Sequence, residues 1–178
     1  ISGASGTLAF TENDGDSVID SSLTITDDDD TNIASATISI SDGYVSTEDI
    51  LAFSDNSSIT AAWDSDTGVL TLSGSDTLAN YKAALESVTY NNTSDNPDTS
   101  DRTISWIVND GSDDSSAITS TITVAAVNDA PEISGASGTL AFTENDGDSV
   151  IDSSLTITDD DDTNIASATI SISDGYVS

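Results

Sequence analysis

Carboxylates are the side chains of this sequence with the greatest capacity for chemistry. The chain carries 33 acidic residues against 2 basic ones, Lys82 and Arg102, and its formal net charge is −31. Many acidic residues fall in short runs, and the densest run, Asp27–Asp30, recurs as Asp159–Asp162. Hard cations such as Ca²⁺ take about six to eight oxygen ligands, chiefly from carboxylates and carbonyls. Because a cation would relieve the repulsion between adjacent aspartates, these runs predict a metal site.

Two acidic loops superficially resemble calcium-binding loops of the EF-hand type. Asp64–Gly68 begins like one, but Gly68 is the fifth residue instead of the sixth, and Ser75 stands where the bidentate Glu belongs. Asp64–Gly68 is therefore predicted to be a hairpin turn. The segment Asp27–Asn32 lacks the loop glycine, so no EF-hand is expected. For any one acidic cluster the alternative is a solvated turn on a halophilic surface.

Several functional classes are excluded by composition. The sequence has no histidine and no cysteine, which removes Ser-His-Asp and Cys-His catalysis, zinc sites, haem ligation and disulfides. A strongly acidic surface repels nucleic acids and anionic membranes. No apolar run has the length of a membrane span. Nothing selects a catalytic carboxylate pair, so we expect neither an enzyme nor a small-molecule substrate, and the lack of methionine predicts an internal piece of a longer protein.

The chain contains a long internal repeat. Residues 133–178 are identical to residues 1–46, at an offset of 132 positions. This period exceeds the units of a solenoid and has the size of a whole domain, which predicts a tandem array. We expect a sandwich domain over 1–127, a linker over 128–132 and a partial copy of the next repeat over 133–178. In the alternative phase, residues 47–178 form the folding unit.

Alternation of apolar and polar residues predicts an all-β fold. The pattern is strongest in Ile33–Ile40, Arg102–Val108 and Ala117–Val124, where Ser and Thr occupy the outer face. Weaker strands are predicted at Thr7–Thr11, Ser22–Thr26, Ile50–Phe53, Ile59–Trp63, Val69–Leu72 and Val88–Asn91. Short strands separated by Asn/Asp-Gly turns are typical of a β-sandwich.

One segment has helical spacing instead. Leu78, Tyr81 and Leu85 recur at helical intervals in Asp76–Ser87, and Asp76 or Thr77 is available to cap the helix. We expect a short helix packed on the edge of the sandwich, with Tyr81 in the core. Trp63 and Trp106 lie on alternating strands and are expected to be buried.

The repeat resembles the cadherin-like, immunoglobulin-like extender repeats of giant bacterial adhesins of the RTX type, which are exported by type I secretion. The similarity covers nearly the whole 132-residue unit. It is carried by Val127–Ile133, Leu23–Asp30, Ala36–Ile40, Gly68–Gly74, Tyr81–Leu85, Val88–Tyr90 and Val108–Gly111. The resemblance implies a Greek-key sandwich and calcium ions at the junctions between neighbouring identical repeats.

The resemblance also implies ligands for these ions. Glu12, with its copy Glu144, and a loop near Arg102 would contribute from the base of a domain, the linker would contribute between domains, and the aspartate runs would contribute from the top of the next domain. The implied ligand set is Glu12, Asp27, Asp29, Asp95, Asp98, Asp101, Asp110, Asn128, Asp129, Glu144, Asp159, Asp160, Asp161 and Asp162.

Repeat and resemblance together predict a calcium-stiffened spacer. Such a module would project a distal adhesive domain for surface or biofilm attachment, outside the cell, at the surface of a Gram-negative marine bacterium. One alternative is an Ig-like module that binds carbohydrate or protein through its end loops. Another is a passive halophilic spacer without specific ions.

Overall fold

The computed structural model describes residues 1–175, which form two compact units, the first spanning Ile1–Val127 and the second beginning at Asn128. Each unit is considered by itself. The last three residues of the predicted partial copy, 176–178, lie outside the described residues.

The first unit is built of nine strands and one helix. The long strands show the alternation of buried and exposed side chains that their sequences predict, whereas β4 buries Asp49 and exposes Ile50. The elements are β1 (Thr7–Thr11), β2 (Ser17–Val18), β3 (Asn32–Asp42), β4 (Asp49–Ala52), β5 (Thr60–Asp64), β6 (Val69–Thr77), α1 (Leu78–Leu85), β7 (Thr89–Asn92), β8 (Arg102–Asn109) and β9 (Ile118–Ala125).

The strands form two sheets. The larger sheet has the order β1-β9-β8-β3-β6-β5, and the smaller has the order β2-β7-β4. All pairs are antiparallel except β1 with β9, which are parallel with Thr7 opposite Thr121. Strand β3 is central to the larger sheet, and Ile38 lies opposite both Leu70 of β6 and Trp106 of β8. The first segment of the chain is thus inserted between strands that come much later in sequence.

Inward-facing side chains of both sheets form one core. Ile38 and Trp106 of the larger sheet and Leu51 and Tyr90 of the smaller sheet are each fully buried. Phe10 on β1 meets Tyr90 edge to face, with ring centroids 5.1 Å apart. Apolar burial on the facing sides of two sheets stabilises a sandwich. The predicted all-β sandwich with one short helix is confirmed, whereas the tandem array stays a prediction.

The helix follows the sequence signals closely. It spans Leu78–Leu85 and begins at the cap residue Thr77, whose hydroxyl accepts a hydrogen bond from the backbone N–H of Asn80 at 3.3 Å. Tyr81 is fully buried, as predicted, and its hydroxyl donates to the carbonyl of Gly74 at 2.7 Å. The helix therefore covers one edge of the core.

One turn depends on aspartate geometry, and one position within a strand depends on glycine. The hairpin between β5 and β6 closes with Asp64 opposite Val69, and the Asp64 carboxylate accepts from the backbone N–H of Asp66 at 2.9 Å. The hairpin turn predicted there is confirmed. In β6, Gly74 has φ of 123°, and a Cβ at this position would lie 2.0 Å from the carbonyl oxygen of Ser58. Only glycine fits such a close approach of two backbones.

Some boundaries differ from the predictions. The predicted strand Ser22–Thr26 is wrong for the first unit: Leu23 and Ile25 point into the core as the alternation requires, but only Thr24 pairs, in an isolated bridge to Ser2. Strand β2 was not predicted because its two residues are too few to show a period. Trp63 is only partly buried, since β5 is the edge strand of its sheet.

The second unit has little regular structure among its described residues. A short antiparallel pair joins β10 (Glu132–Ser134) to β11 (Thr156–Thr158). Large apolar side chains of this unit are exposed, among them Leu140, Phe142, Leu155, Ile157, Ile170 and Ile172.

Candidate functional site

An aspartate cluster occupies the loop between the buried Ile25 and β3. The first oxygen of Asp27, Oδ1, accepts hydrogen bonds from the backbone N–H of Asp29 at 3.2 Å and of Asp30 at 3.0 Å. This turn folds the loop back on itself, so that ligand oxygens of Asp27, Asp29 and Asp30 lie within 4.8 Å of one another. Because Ile25 and Ile33 anchor both ends of the loop in the core, the cluster sits on a rigid base.

The carboxylates of this cluster differ electrostatically. Backbone N–H groups, first that of Asp30 and then that of Asp29, lower the pKa of Asp27. The pKa of Asp29 is raised by its hydrogen bond with the Asp27 carboxylate and by the negative charges of Asp27 and Asp30. The ionised form of Asp29 is therefore destabilised, and a cation among the three carboxylates would offset that repulsion.

A second acidic loop adjoins the cluster. After β8 the chain turns at Asp110, whose carboxylate accepts from the N–H of Ser112 at 2.7 Å and of Asp113 at 2.9 Å. Asp27, Asp110, Asp113 and Asp114 line one cavity of about 230 Å³, together with apolar side chains that include Ile1 and Ile33. The structure thus brings together two of the predicted ligands, Asp27 and Asp110, at one end of the sandwich.

The second unit contains a related arrangement. Asp159 repeats the turn of Asp27, because its carboxylate accepts from the N–H of Asp161 at 3.2 Å and of Asp162 at 2.8 Å. The backbone N–H of Asp129 donates to the Asp161 carboxylate. Asn128, Asp129, Asp159 and Asp162 line a cavity of about 290 Å³, and Asp160 lies in the same run. The linker and the aspartate run are therefore adjacent within this unit.

The ligands predicted at the base of a domain are placed differently. Glu12 is buried, with an exposed fraction of 5%, and its carboxylate accepts from the N–H of Val127 at 2.8 Å and from the Asn13 amide at 3.1 Å. It thus ties the last residue of the sandwich to the end of β1. The other predicted base residues are exposed on their loops, namely Asp95, Asp98, Asp101 and Glu144.

Asp98 already has partners in the protein. Its carboxylate accepts from the N–H of Ser100 at 2.8 Å and lies 3.5 Å from the Arg102 guanidinium. Hydrogen bonds from Ser100, followed by the charge of Arg102, lower the pKa of Asp98. Asp98 therefore carries a full negative charge that a basic side chain partly compensates.

Both basic residues of the chain are engaged away from the aspartate cluster. Lys82 pairs with Glu86 one turn along α1, at 2.5 Å. Arg102 is fully buried and pairs with Asp49 at 3.0 Å, with Glu48 at 3.7 Å and with Asp98. Among the described residues, the negative charge of Asp27–Asp30 must accordingly be compensated from solution.

The cluster geometry is compatible with a calcium ion. Two oxygens bound to one Ca²⁺ at about 2.3–2.6 Å can be no more than roughly 5 Å apart, and the oxygens of Asp27, Asp29 and Asp30 satisfy this limit. The ligand set implied by the resemblance omits Asp30, Asp113 and Asp114, although the run Asp27–Asp30 as a whole was predicted to hold a metal. The turn made by Asp27 with residues two and three positions later is a signal that could have indicated Asp30.

Of the two tryptophans, only Trp63 is accessible to a ligand. Trp106 is fully buried, and its indole N–H donates to the Ser120 hydroxyl at 3.1 Å. Trp63 stays partly exposed, meets Tyr44 edge to face at 6.1 Å, and lines a cavity of about 400 Å³ with Ile50 and Phe53. Trp63 is therefore the tryptophan on which a ligand could stack.

Comparison with known proteins gives one partial similarity. The chain is 42% identical over 86 residues to halomucin of Haloquadratum walsbyi (strain DSM 16790 / HBSQ001), an alignment that covers 46% of this chain and 1% of halomucin. The chain thus spans about one hundredth of the length of that protein. No known protein family matches the sequence, and no solved structure matches it.

These comparisons bear on location only in general terms. The similarity to halomucin favours a surface or extracellular protein. Within residues 1–175, no helix has both the length and the apolar character needed to cross a bilayer.

Proposed function

We propose that this chain is part of an extracellular spacer in which β-sandwich repeats follow one another and calcium stiffens the connections. The family resemblance to extender repeats of RTX-type adhesins motivates the proposal, and the similarity to halomucin supports its extracellular setting. In this proposal the neighbouring partners are identical repeats, and the array holds a distal adhesive domain away from the cell. The Gram-negative, marine host stays a prediction.

The observation that carries the proposal is the cavity shared by the linker and the aspartate run. Asn128 and Asp129 of the linker line it together with Asp159 and Asp162. An ion bound here would connect the linker to the loop of the repeat that follows it. Because Ca²⁺ is held by several oxygens at once, it would restrict the linker far more than sodium ions in a diffuse atmosphere do.

The role of each residue follows from its contacts. Asp159 orders the loop through backbone N–H groups, and Asp161 accepts the N–H of Asp129. Asp162 and Asp129 would supply carboxylate oxygens, and Asn128 would supply an amide oxygen. The ion itself would supply the positive charge that the two basic residues of the chain do not provide there.

A calcium titration of the full chain tests this function. We expect binding with a Kd of about 10⁻⁴–10⁻³ M, the range of extracellular modules. At ten times Kd this stabilises the bound unit by about 1.4 kcal/mol. Isothermal titration calorimetry and thermal melting measure the two quantities, with magnesium and sodium chloride at matched ionic strength as references.

Matched variants locate the sites. Asp159→Asn with Asp162→Asn removes two charges from the linker cavity, and Asp64→Asn with Asp66→Asn removes two charges from a hairpin turn of similar hydrogen bonding. We expect the first pair to eliminate one class of sites and the second pair to leave binding unchanged. If both pairs change calcium affinity equally, or if sodium stabilises as well as calcium at equal ionic strength, the chain is a passive acidic spacer.

A ligand-binding module is the second candidate, favoured by the partly exposed Trp63 beside Phe53. Carbohydrates bind by stacking on such an aromatic ring. Binding of the chain to a glycan array, lost in Trp63→Ala and retained in the calcium-site variants, would support this candidate. A blank array would leave the spacer as the better account.

A further inference from the structure

The two identical segments of the chain lie in different surroundings. In the first copy, Phe10, Leu23 and Ile38 have exposed fractions of 1%, 0% and 0%. Their counterparts at the offset of 132 positions have the following exposed fractions: Phe142 61%, Leu155 46% and Ile170 83%. Since the side chains are the same, the difference arises from what covers them, which in the first copy is residues 47–127.

Several short-range contacts nevertheless recur in both copies. The Asp20 carboxylate accepts the N–H of Gly6 at 3.1 Å, and the Asp152 carboxylate accepts the N–H of Gly138 at 3.0 Å. The first copy adds long-range contacts, such as the Ser120 hydroxyl that donates to Asp20 at 2.8 Å. The second copy thus keeps part of the local structure of the first, although the counterparts of β1 and β3 are not strands.

We propose that residues 47–127 form a binding surface for this 46-residue segment, and that the second copy can occupy it in place of the first. The surface is a slot between β6 and β8, where Ile38 lies opposite Leu70 and Trp106. Every side chain that the slot recognises in residues 1–46 recurs in residues 133–178. The chain therefore has two alternative ways to complete one sandwich.

The length of the connection permits this exchange. In the alternative arrangement Thr139 would take the place of Thr7, which lies opposite Thr121, four positions before Ala125 at the end of β9. That separation is about 13 Å of strand. Residues 126–138 can span up to about 43 Å when extended. The contacts of residues 1–6 are not fully reproduced, so the second arrangement is expected to be the less stable one.

Disabling one copy at a time tests the exchange. In a Trp63→Phe background, Trp106 is the single tryptophan and reports burial of the sandwich by its fluorescence. We expect Ile38→Asp to retain a buried Trp106 and a cooperative melt with a lower midpoint, because Ile170 replaces Ile38. The double variant Ile38→Asp with Ile170→Asp is expected to expose Trp106.

Leu70→Asp is the control, because Leu70 lies opposite Ile38 but belongs to residues 47–127, which are not repeated in this chain. This single change is therefore expected to expose Trp106. The proposal is overturned if Ile38→Asp unfolds as fully as Leu70→Asp. It is also overturned if adding Ile170→Asp to Ile38→Asp changes nothing, since the slot then tolerates the aspartate.

A disulfide trap gives an independent measurement, because the chain has no cysteine of its own. Ser39 lies opposite Ser105 in the β3–β8 pair, so cysteines at these two positions are within bonding distance. Ser105→Cys with Ser171→Cys places the same pair across the exchanged strand.

In the Ile38→Asp background we expect Ser105→Cys with Ser171→Cys to close within one chain in most molecules upon mild oxidation, as Ser39→Cys with Ser105→Cys does in the unmodified background. Failure to close, or closure only between two chains, would contradict exchange within the chain. Peptide mapping and non-reducing electrophoresis distinguish these outcomes.

Discussion

The buried guanidinium of Arg102 gives the sharpest prediction about stability. Its Nε lies 3.0 Å from one oxygen of Asp49 and its Nη2 lies 3.2 Å from the other, and neither side chain is exposed. Tyr90 donates to the same carboxylate at 2.6 Å and Asn92 at 3.1 Å. Burial alone would lower the pKa of Arg102, but the hydrogen bonds and charge of Asp49 raise it, so the guanidinium stays ionised.

Replacing Arg102 by methionine should destabilise the sandwich strongly. The change leaves the Asp49 carboxylate buried without its counter-ion, with three neutral donors: Tyr90, Asn92 and the backbone N–H of Val45 at 2.8 Å. Removing one partner of a buried ion pair costs about 3–5 kcal/mol, whereas an exposed pair between residues four apart on a helix contributes about 0.3–0.5 kcal/mol. Lys82→Met breaks a pair of the exposed kind, with Glu86.

These two variants are a matched pair because each removes one positive charge from the same acidic chain. Urea unfolding followed by circular dichroism measures the free energy of unfolding of each. We expect Arg102→Met to lose about 3–5 kcal/mol and Lys82→Met less than about 1 kcal/mol. Sodium sulfate can be added equally to all samples if Arg102→Met is too unstable to have a folded baseline.

A result in which both variants lose the same small amount would refute the reasoning, because the loss would then report net charge alone. A double variant, Arg102→Met with Asp49→Leu, checks the origin of a large loss. It should recover part of the stability of Arg102→Met, since no unpaired charge is left in the core.

Two further predictions also have internal controls. Burial by itself would raise the pKa of Asp20, but hydrogen bonds from Ser22, Ser120 and Gly6 outweigh it, so the pKa is lowered. The contribution of Asp20 to folding stability is therefore present above the ordinary pKa of 3.8 and is lost as the pH falls through the lower pKa of the folded state. Asp20→Asn should therefore destabilise the sandwich at pH 7 and flatten its acid unfolding curve, whereas Asp152→Asn should leave both unchanged. Gly74→Ala should cost more than Gly15→Ala in urea unfolding, because both residues have positive φ but only the Cβ at position 74 meets a backbone oxygen; equal costs would contradict the clash.

The fold could be predicted from the sequence where alternation was long enough to define a face. In β3 the residues Ala36, Ile38 and Ile40 are buried, as their spacing from Thr37 and Ser39 indicates. The same pattern located β8 and β9 within one residue. Alternation failed for Ser22–Thr26, because it reports which side chains face the core and not whether the backbone finds a neighbouring strand.

The pairing of strands was harder to predict from the sequence than the burial of side chains. Nothing local in β1 indicates that it runs parallel to β9, since partners more than a hundred residues apart in sequence are chosen by the core as a whole. The Arg102–Asp49 pair shows the same limit. Asp49 carries no sequence feature that distinguishes it from the exposed aspartates, and only its position on β4 opposite β7 makes it a core residue.

In the candidate site, too, local contacts could be predicted from the sequence and long-range contacts could not. Runs of adjacent aspartates indicated the loops correctly, since the cluster of Asp27, Asp29 and Asp30 depends on contacts two and three residues apart. The role of Glu12 as a buried acceptor for Val127 depends on a contact across 115 positions and was not foreseen. Its burial and its two hydrogen-bond donors make it a poorer calcium ligand than the resemblance implies.

Salt could act on this protein in two ways, by general screening and by specific binding, and the hydrogen-bond partners of the carboxylates distinguish them. Asp14, Asp64 and Asp98 each accept a backbone N–H within their own turn, so their charges are partly compensated by the fold. Their residual repulsion is long-ranged, and any salt should screen it in proportion to ionic strength. The repulsion that raises the pKa of Asp29 acts over one short loop, where three carboxylates converge. Diffuse sodium ions screen that contact poorly, while a bound divalent ion removes it. An acidic sandwich with specific ion sites should therefore show two effects. Sodium should stabilise all acidic variants alike. Calcium should add a further stabilisation that is lost only when the Asp27–Asp30 or Asp159–Asp162 run is changed.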